Sequence, residues 1–238
     1  GRELPMAGHP TIGTAFALAH EGVIPPGQEE IVFGLGVGPI RVRLRWEGGG
    51  QAGRLQFAEM QQLPPTFGEP VADIGKVAAA LNLEARDIAA ARSPVQSVSC
   101  GIPFLFVPLA TREAVDRALV DRATLKRVCG ALGIAEEVFV FSTEPGEDGA
   151  TAYSRMFAPG LGVAEDPATG AASGPLGCYL VRHGLVSADG AQQIVSVQGV
   201  KMRRPSRIHI AISGDAQNVT DVRVGGTAVL VGEGVLRF

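Results

Sequence analysis

Two ionisable residues stand directly before prolines: His9 in HPTIGTA (9–15) and Asp166 in DPATGAA (166–172). The two segments share Pro, Gly and Ala at the same three offsets. An imidazole and a carboxyl group held together are a pair suited to proton transfer near neutral pH. A residue before proline is pushed out of the α region, and proline favours the first helical turn. His9 and Asp166 are therefore expected at or beside helix N-caps, with Pro10 and Pro167 in the first turns. The amides that follow, of Thr11, Ile12 and Gly13 and of Ala168, Thr169 and Gly170, would lack intrahelical partners and, with the macrodipole, attract an anion. Gly8, Gly13 and Gly170 would let another backbone or a ligand come close. Two such helix ends facing one another would grip a carboxylate and hold His9 and Asp166 against the neighbouring atoms. Taken singly, Asp before Pro is an ordinary N-cap and a histidine near a helix start is ordinarily structural. The repeated context sets a shared proton-transfer site beside that plain reading.

The elements that must position these residues are legible in outline. The 32 glycines, roughly twice the usual share of about 7%, cluster at turns such as 34–39, 47–53, 214–216 and 224–226. Between them lie short apolar or alternating runs expected as strands: 40–46, 102–109, 136–142, 193–199, 206–213 and 227–234. Strict alternation in IRVRLRW leaves Arg41, Arg43 and Arg45 on a wet face. Helical spacing marks 10 to about 22, 71–83, 110–133 and 169–184. The last is free of charge for two turns, which implies burial nearly all round, and Pro175 removes one of its hydrogen bonds and should kink it. Each half thus carries a small-residue helix and a set of strands. The expected division is 1–97 and 98–238, at the polar break SPVQS, with the extreme C-terminal strands returning to the first half.

Composition excludes several classes of function. A chain of 238 residues with 46% hydrophobic and 19% charged residues and a mean hydropathy of +0.20 is expected to fold around real cores rather than stay disordered. No apolar run approaches a membrane span, and residues 1–20 do not read as a signal peptide. A net charge of −3 gives no electrostatic reason to expect nucleic acid as a partner. Cys100, Cys129 and Cys178 are odd in number and widely spaced, and the four histidines are scattered, so neither a disulfide framework nor a metal site is expected. Reduced thiols in a cytoplasmic protein are the simple expectation.

ELPMAGHPTIGTA and RMFAPGLGVAEDPATGAASGPLGCYLVRHG resemble the two signature segments of the phenazine-biosynthesis PhzF-like family. VSCGIPFLFVPLATREAVDRA resembles its mid-chain strand and helix, and GVKMRRPSRIHIAI its late segment, so the resemblance spans essentially the whole chain. It implies an α+β, diaminopimelate-epimerase-like fold of two pseudo-symmetric domains. Each domain is a curved sheet around a central helix (10–21 and 167–183 here), with the active site between them. It further implies a cofactor-independent isomerase of a small carboxylate, of the trans-2,3-dihydro-3-hydroxyanthranilate isomerase kind, acting by proton transfer, and a homodimer. Carried over residue by residue, His9 orients the substrate and relays a proton, and Asp166 holds its polar substituents. Gly8, Pro10, Thr11, Thr169, Gly170 and Ala171 surround the substrate, with helix-end amides on its carboxylate.

Two departures from the family pattern stand out. The family's main acid/base is a glutamate in an N-x-S-E-T segment upstream of the GHP motif, and no such segment occurs here. The resemblance therefore implies that sequence upstream of this chain supplies it, or that the lineage has lost it. Glu3, within ELP, reads as structural. The family's frequent EDPATGSA has serine where this chain has Ala171, which suggests a different or less polar substrate, or lowered activity. The alternatives are an amino-acid epimerase or racemase and a non-catalytic binder of small anions. Two-thiol racemisation is not expected, because no cysteine lies in either helix-entrance motif.

Overall fold

The computed structural model describes residues 4–49, 53–134 and 136–235; Glu3 and residues 50–52 of the glycine-rich turn at 47–53 lie outside them. The chain opens with α1 (His9–His20), then a meander of β1 (Glu30–Leu35), β2 (Gly38–Trp46) and β3 (Leu55–Gln61). β4 (Thr66–Pro70), α2 (Ile74–Ala80), α3 (Ala85–Ala89), β5 (Gln96–Ser99) and β6 (Pro103–Pro108) follow. Next come α4 (Arg112–Arg117), α5 (Arg122–Leu132), β7 (Val138–Ser142), β8 (Ala152–Ala158) and β9 (Val163–Asp166). α6 (Gly170–Arg182), β10 (Ile194–Gln198), β11 (Ser206–Gly214) and β12 (Val219–Gly226) complete the fold.

All twelve strands join in one sheet, ordered β1-β2-β3-β12-β11-β10-β8-β7-β6-β5-β4, with β9 paired to β8. Pairing is antiparallel except β10 with β8 and β6 with β7. The division expected at residue 97 is not a break in this hydrogen bonding. β4 and β5 pair onto β6, so residues 66–97 side with the later strands, while β12 lies against β3 with Val224 opposite Met60.

The sheet curls around α6, which packs on β11 and β12 and also on β5 and β6, strands far apart in the sheet order. Residues 170–181 of α6 are all buried, as their small, uncharged character requires, and the helix runs through Pro175 without interruption. Small residues let the strands approach. A Cβ on Gly177 would lie 2.5 Å from the Ile210 Cγ2 atom, inside van der Waals contact. Tyr179 stacks on Phe106 at 5.9 Å between ring centroids and donates its hydroxyl to the Pro94 carbonyl at 2.5 Å. Alternation along β6 and β7 divides two cores. Phe104, Phe106, Phe139 and Phe141 face α6, whereas Leu105, Val107, Val138 and Val140 face the layer formed by α2 to α5.

Three expectations need correction. The helical pattern of 110–133 is two helices, because Ala118 takes an extended ψ of 125° and Asp121 caps a new start through the Ala123 and Thr124 amides. Residues 227–234 form no strand: the run pairs with nothing among the described residues, and Val229 and Val231 are exposed. The strand at this end is β12, just before it. Finally, α1 is not buried all round. It lies on β3 and buries only Thr11, Ile12 and Ala15, since the sheet passes along one side of it. The exposed Arg41, Arg43 and Arg45 match the alternation of β2.

Candidate active site

Both helix entrances lack a side-chain cap. Gly8 is the N-cap of α1, His9 its first residue and Pro10 its second; Thr169 is the N-cap of α6. Asp166 is therefore not an N-cap, nor Pro167 a first-turn residue. Asp166 ends β9, and the Pro167–Thr169 link carries the chain into the helix. The Asp166 Oδ2 atom accepts the Thr169 hydroxyl at 2.6 Å, so the carboxylate is tied to the helix start without entering it.

The two entrances touch. A Cβ on Gly8 would lie 2.5 Å from Gly170 Cα and 2.6 Å from Ala171 N, and one on Gly170 would lie 2.9 Å from Gly8 Cα. Only glycine at both positions permits this approach. Beside the contact, the His9 Nδ1 atom bonds to the Ala168 carbonyl at 2.6 Å. A carbonyl oxygen can only accept, so Nδ1 carries the hydrogen and Nε2 is the position left to exchange a proton. The histidine and aspartate, 157 positions apart in the sequence, thus belong to one small assembly.

Two buried glutamines hold that assembly from behind. The Gln198 side chain accepts the Thr169 amide at 3.0 Å and donates to the Asp166 carbonyl at 2.6 Å and the Thr169 hydroxyl at 2.9 Å. The Gln62 Nε2 atom donates to the Gly170 carbonyl at 2.8 Å. Together they fix the backbone that carries the site, with the Gln62 Oε1 atom buried and without a partner among the described residues. Outside it, Arg155 on β8 makes a two-pronged ion pair with Glu165, at 2.9 and 2.8 Å, and also donates to the carbonyls of Val115, Asp116 and Ala118. Glu165 is thereby fastened to one face of β9, and the strand's alternation turns its neighbour Asp166 to the other.

That other face opens on a cavity of about 560 Å³. It receives Gly8, His9, Pro10, Asp166, Thr169, Gly170 and Ala171 from the two entrances, and Met6, Phe104, Met156 and Leu161 give it apolar walls. Thr11 does not reach it, because its buried hydroxyl donates to the Ala7 carbonyl at 2.7 Å. A second cavity of about 470 Å³, which Ala168 also lines, shares Gly8, His9 and Gly170 with the first, so the contact between the entrances forms a wall between the two spaces. Glu137 also lines the first cavity. Burial, with the neighbouring Glu136 charge, holds its carboxyl above the ordinary glutamate range against an opposing bond from its own amide. None of the three cysteines lines this cavity. Cys100 and Cys178 are buried beside α6 with their sulfurs 3.9 Å apart, and burial pushes the Cys129 thiol up to about 11.

Gln62, Gln198, Arg155, Glu165 and Glu137 were not identified from sequence. Gln198 left a faint signal as a polar residue at the end of the largely apolar run 194–198, whereas Gln62, behind Glu59 and Gln61, left none. The partners of Arg155 and Glu165 come from distant elements, and Glu137 reads as one half of a surface-like Glu-Glu pair. Among the described residues, one group could place three ligand atoms within 4.8 Å: His20, Glu21 and Glu233. All three are exposed and far in sequence from the helix entrances.

An α+β chain with a curved sheet around a buried helix is the diaminopimelate-epimerase-like fold. A solved proline racemase homologue from Agrobacterium radiobacter, 14% identical, shares the fold with a TM-score of 0.59 over 98% of this chain and 68% of its own. A PhzF-family protein from Bacillus anthracis, 22% identical, superposes with a TM-score of 0.83 over 100% of this chain and 78% of its own. The chain belongs to the phenazine biosynthesis-like protein family, whose profile matches residues 1–234. Among curated relatives, the trans-2,3-dihydro-3-hydroxyanthranilate isomerase of Pseudomonas aeruginosa is 32% identical over 232 residues, 98% of this chain and 74% of the relative. An uncharacterized isomerase from Mesorhizobium japonicum is 30% identical over 236 residues, 98% of this chain and 76% of the relative. Among the described residues no helix is long and apolar enough to cross a membrane.

Proposed function

We propose that this protein is a cofactor-independent isomerase of a small carboxylate, of the trans-2,3-dihydro-3-hydroxyanthranilate isomerase kind, and that it works by proton transfer in the 560 Å³ cavity. The observation that carries the reading is the convergence of His9, Asp166 and two uncapped helix starts on one space. Helix starts without caps favour an anion, by roughly 0.3–1 kcal/mol when exposed and up to ~2 when partly buried. The first-turn amides of Gly170 and Ala171 therefore orient the carboxylate. Asp166, pinned by Thr169 and Gln198, accepts from a hydroxyl or amino substituent. His9 exchanges a proton at Nε2, with its tautomer set by the Ala168 carbonyl. Isomerisation removes one proton and returns one, so it needs neither a redox partner nor a group transfer. Ala171 contributes only its amide, which fits the apolar walls and a substrate with fewer polar substituents there. Two-thiol epimerisation is disfavoured by the position of the thiols away from the cavity. A homodimer in the cytoplasm belongs to the same reading.

The test is turnover of trans-2,3-dihydro-3-hydroxyanthranilate in deuterated water. Deuterium should enter substrate carbon, and His9→Ala and Asp166→Ala should each lower the rate by about 10²-fold or more. Normal turnover by both variants would remove the assigned roles, and no turnover by the unaltered protein would remove the reading.

A further inference from the structure

The 560 Å³ cavity has two unlike ends, and strand register separates them. Met156 of β8 lies opposite Phe139 of β7 on one side and Asp166 of β9 on the other. Two residues further along β8, Ala158 lies opposite Val163. Glu137 directly precedes Val138, which pairs with Phe157, so it comes level with Ala158. The parallel pairing of Leu105 with Val138 brings Phe104 to the same level. Two residues along a strand span about 6.6 Å. One row of the wall therefore ends in Asp166 beside the helix entrances, and a second row, a step away, runs Phe104, Glu137, Ala158, Val163.

The polar groups gather at the first row. His9, Asp166 and Thr169 belong to the entrances, as do the amides of Gly170 and Ala171. The far row is apolar except for the Glu137 carboxyl, and Leu161 extends it. Leu161 is 48% exposed and Val163 37%, although both line a cavity. A single exposed leucine needs no explanation, but neighbours on one cavity wall leave apolar surface for a ligand to cover. Glu137 faces no cation in this space: His9, at the other end, is the sole basic side chain lining the cavity among the described residues. A second anion at the far end would meet a like charge with nothing to offset it.

We propose that the far row is a specificity subsite, and that the substrate is a monocarboxylate whose opposite end is an uncharged apolar group of several carbons. The proposal rests on the isomerase reading above. The carboxylate and a neighbouring hydroxyl or amino group occupy the helix-entrance end. The apolar group crosses Ala158 to cover Leu161 and Val163, and Glu137 excludes dicarboxylates by repulsion. trans-2,3-Dihydro-3-hydroxyanthranilate, whose polar substituents are contiguous on one side of its ring, suits the first end and leaves much of the far row uncovered.

The experiment is displacement of 3-hydroxyanthranilate, followed by its fluorescence, in mildly alkaline buffer. The competitors are lactate, 2-hydroxybutanoate, 2-hydroxyhexanoate and 2-hydroxyadipate, which share one carboxylate and hydroxyl end and differ in the tail. From lactate to 2-hydroxyhexanoate, each added methylene should tighten binding by about two- to fourfold. 2-Hydroxyadipate, whose tail ends in a carboxylate, should bind about tenfold or more weakly than 2-hydroxyhexanoate. The paired substitution Leu161→Asn and Val163→Thr should abolish the gain with tail length and leave lactate within about twofold. Glu137→Gln should narrow the gap between the last two competitors to about threefold or less. A series without gain in tail length overturns the subsite and leaves the isomerase reading standing, because 3-hydroxyanthranilate still occupies the first end. An undiminished gain in the paired variant overturns it as well. Equal binding of 2-hydroxyadipate and 2-hydroxyhexanoate by the unaltered protein overturns the restriction to monocarboxylates. If thermal unfolding shows the paired variant to be unfolded, Val163→Thr alone decides: a reduced gain per methylene supports the subsite, and an unchanged gain overturns it. If 3-hydroxyanthranilate itself does not bind, the isomerase reading falls and this proposal with it.

Discussion

Gly8→Ala tests the closest contact of the site. The added Cβ would stand 2.5 Å from Gly170 Cα and 2.6 Å from Ala171 N, where non-bonded carbon contacts need about 3.5–4.0 Å. The atoms met are backbone in the first turn of a buried helix, so no side chain can swing away, and the two entrances must part by roughly 1 Å. Overpacking of this kind costs about 1–3 kcal/mol, and each kcal/mol lowers the melting temperature of a chain this size by about 2–4 °C. The His9–Ala168 bond, at 2.6 Å and one residue away, is the first to lengthen. A displacement of ~1 Å at a reacting group costs about 10²-fold in rate. Gly13→Ala is the internal control, because nothing lies within 4 Å of its Cβ. In the same helix it should stabilise by roughly 0.5–1 kcal/mol. Melting curves and turnover of the two variants, with Gly170→Ala and the double variant, complete the test. Gly8→Ala and Gly170→Ala each push a Cβ into the same contact, so their effects should be non-additive. A Gly8→Ala protein that melts and turns over like Gly13→Ala would refute the contact.

Glu165→Ala strips the buried Arg155 guanidinium, whose side chain is 8% exposed, of its carboxylate. It should cost about 3–5 kcal/mol by denaturant titration and lower turnover through its neighbour Asp166; a loss below ~1 kcal/mol would contradict a buried pair. Asp148 is held down to about 2 by hydrogen bonding to Arg112, from an ordinary 3.8. Its stabilisation is therefore complete above about pH 4 and lost as pH falls through 2. That interval corresponds to at most ~2.4 kcal/mol, reduced to about 1 kcal/mol by the 32% exposure of Asp148. Asp148→Asn should accordingly differ from the unaltered protein in urea midpoint at pH 5 and converge with it at pH 2; an equal gap at both would sink the assignment.

The amino-acid sequence determined those features that rest on local chemistry. Alternation placed β2 and its three exposed arginines, uncharged small residues marked α6 as the buried helix, and the repeated Pro and Gly offsets singled out His9 and Asp166. Local chemistry failed where partners are remote. The break at Ala118 depends on carbonyls taken by Arg155 from another strand. The run 227–234 has the alternation of a strand yet finds no neighbour to pair with. Asp166 looked like an N-cap because Asp-Pro ordinarily is one, but Gln198 claims the Thr169 amide and shifts the helix start three residues on. Tertiary structure alone decided that Gly8 lies against Gly170, that Gln62 and Gln198 brace the entrances, and that Glu137 shares a cavity with His9 and Asp166. Each of these is a contact between residues far apart along the chain. No period or propensity encodes such a distance; it is fixed only when the sheet closes around α6.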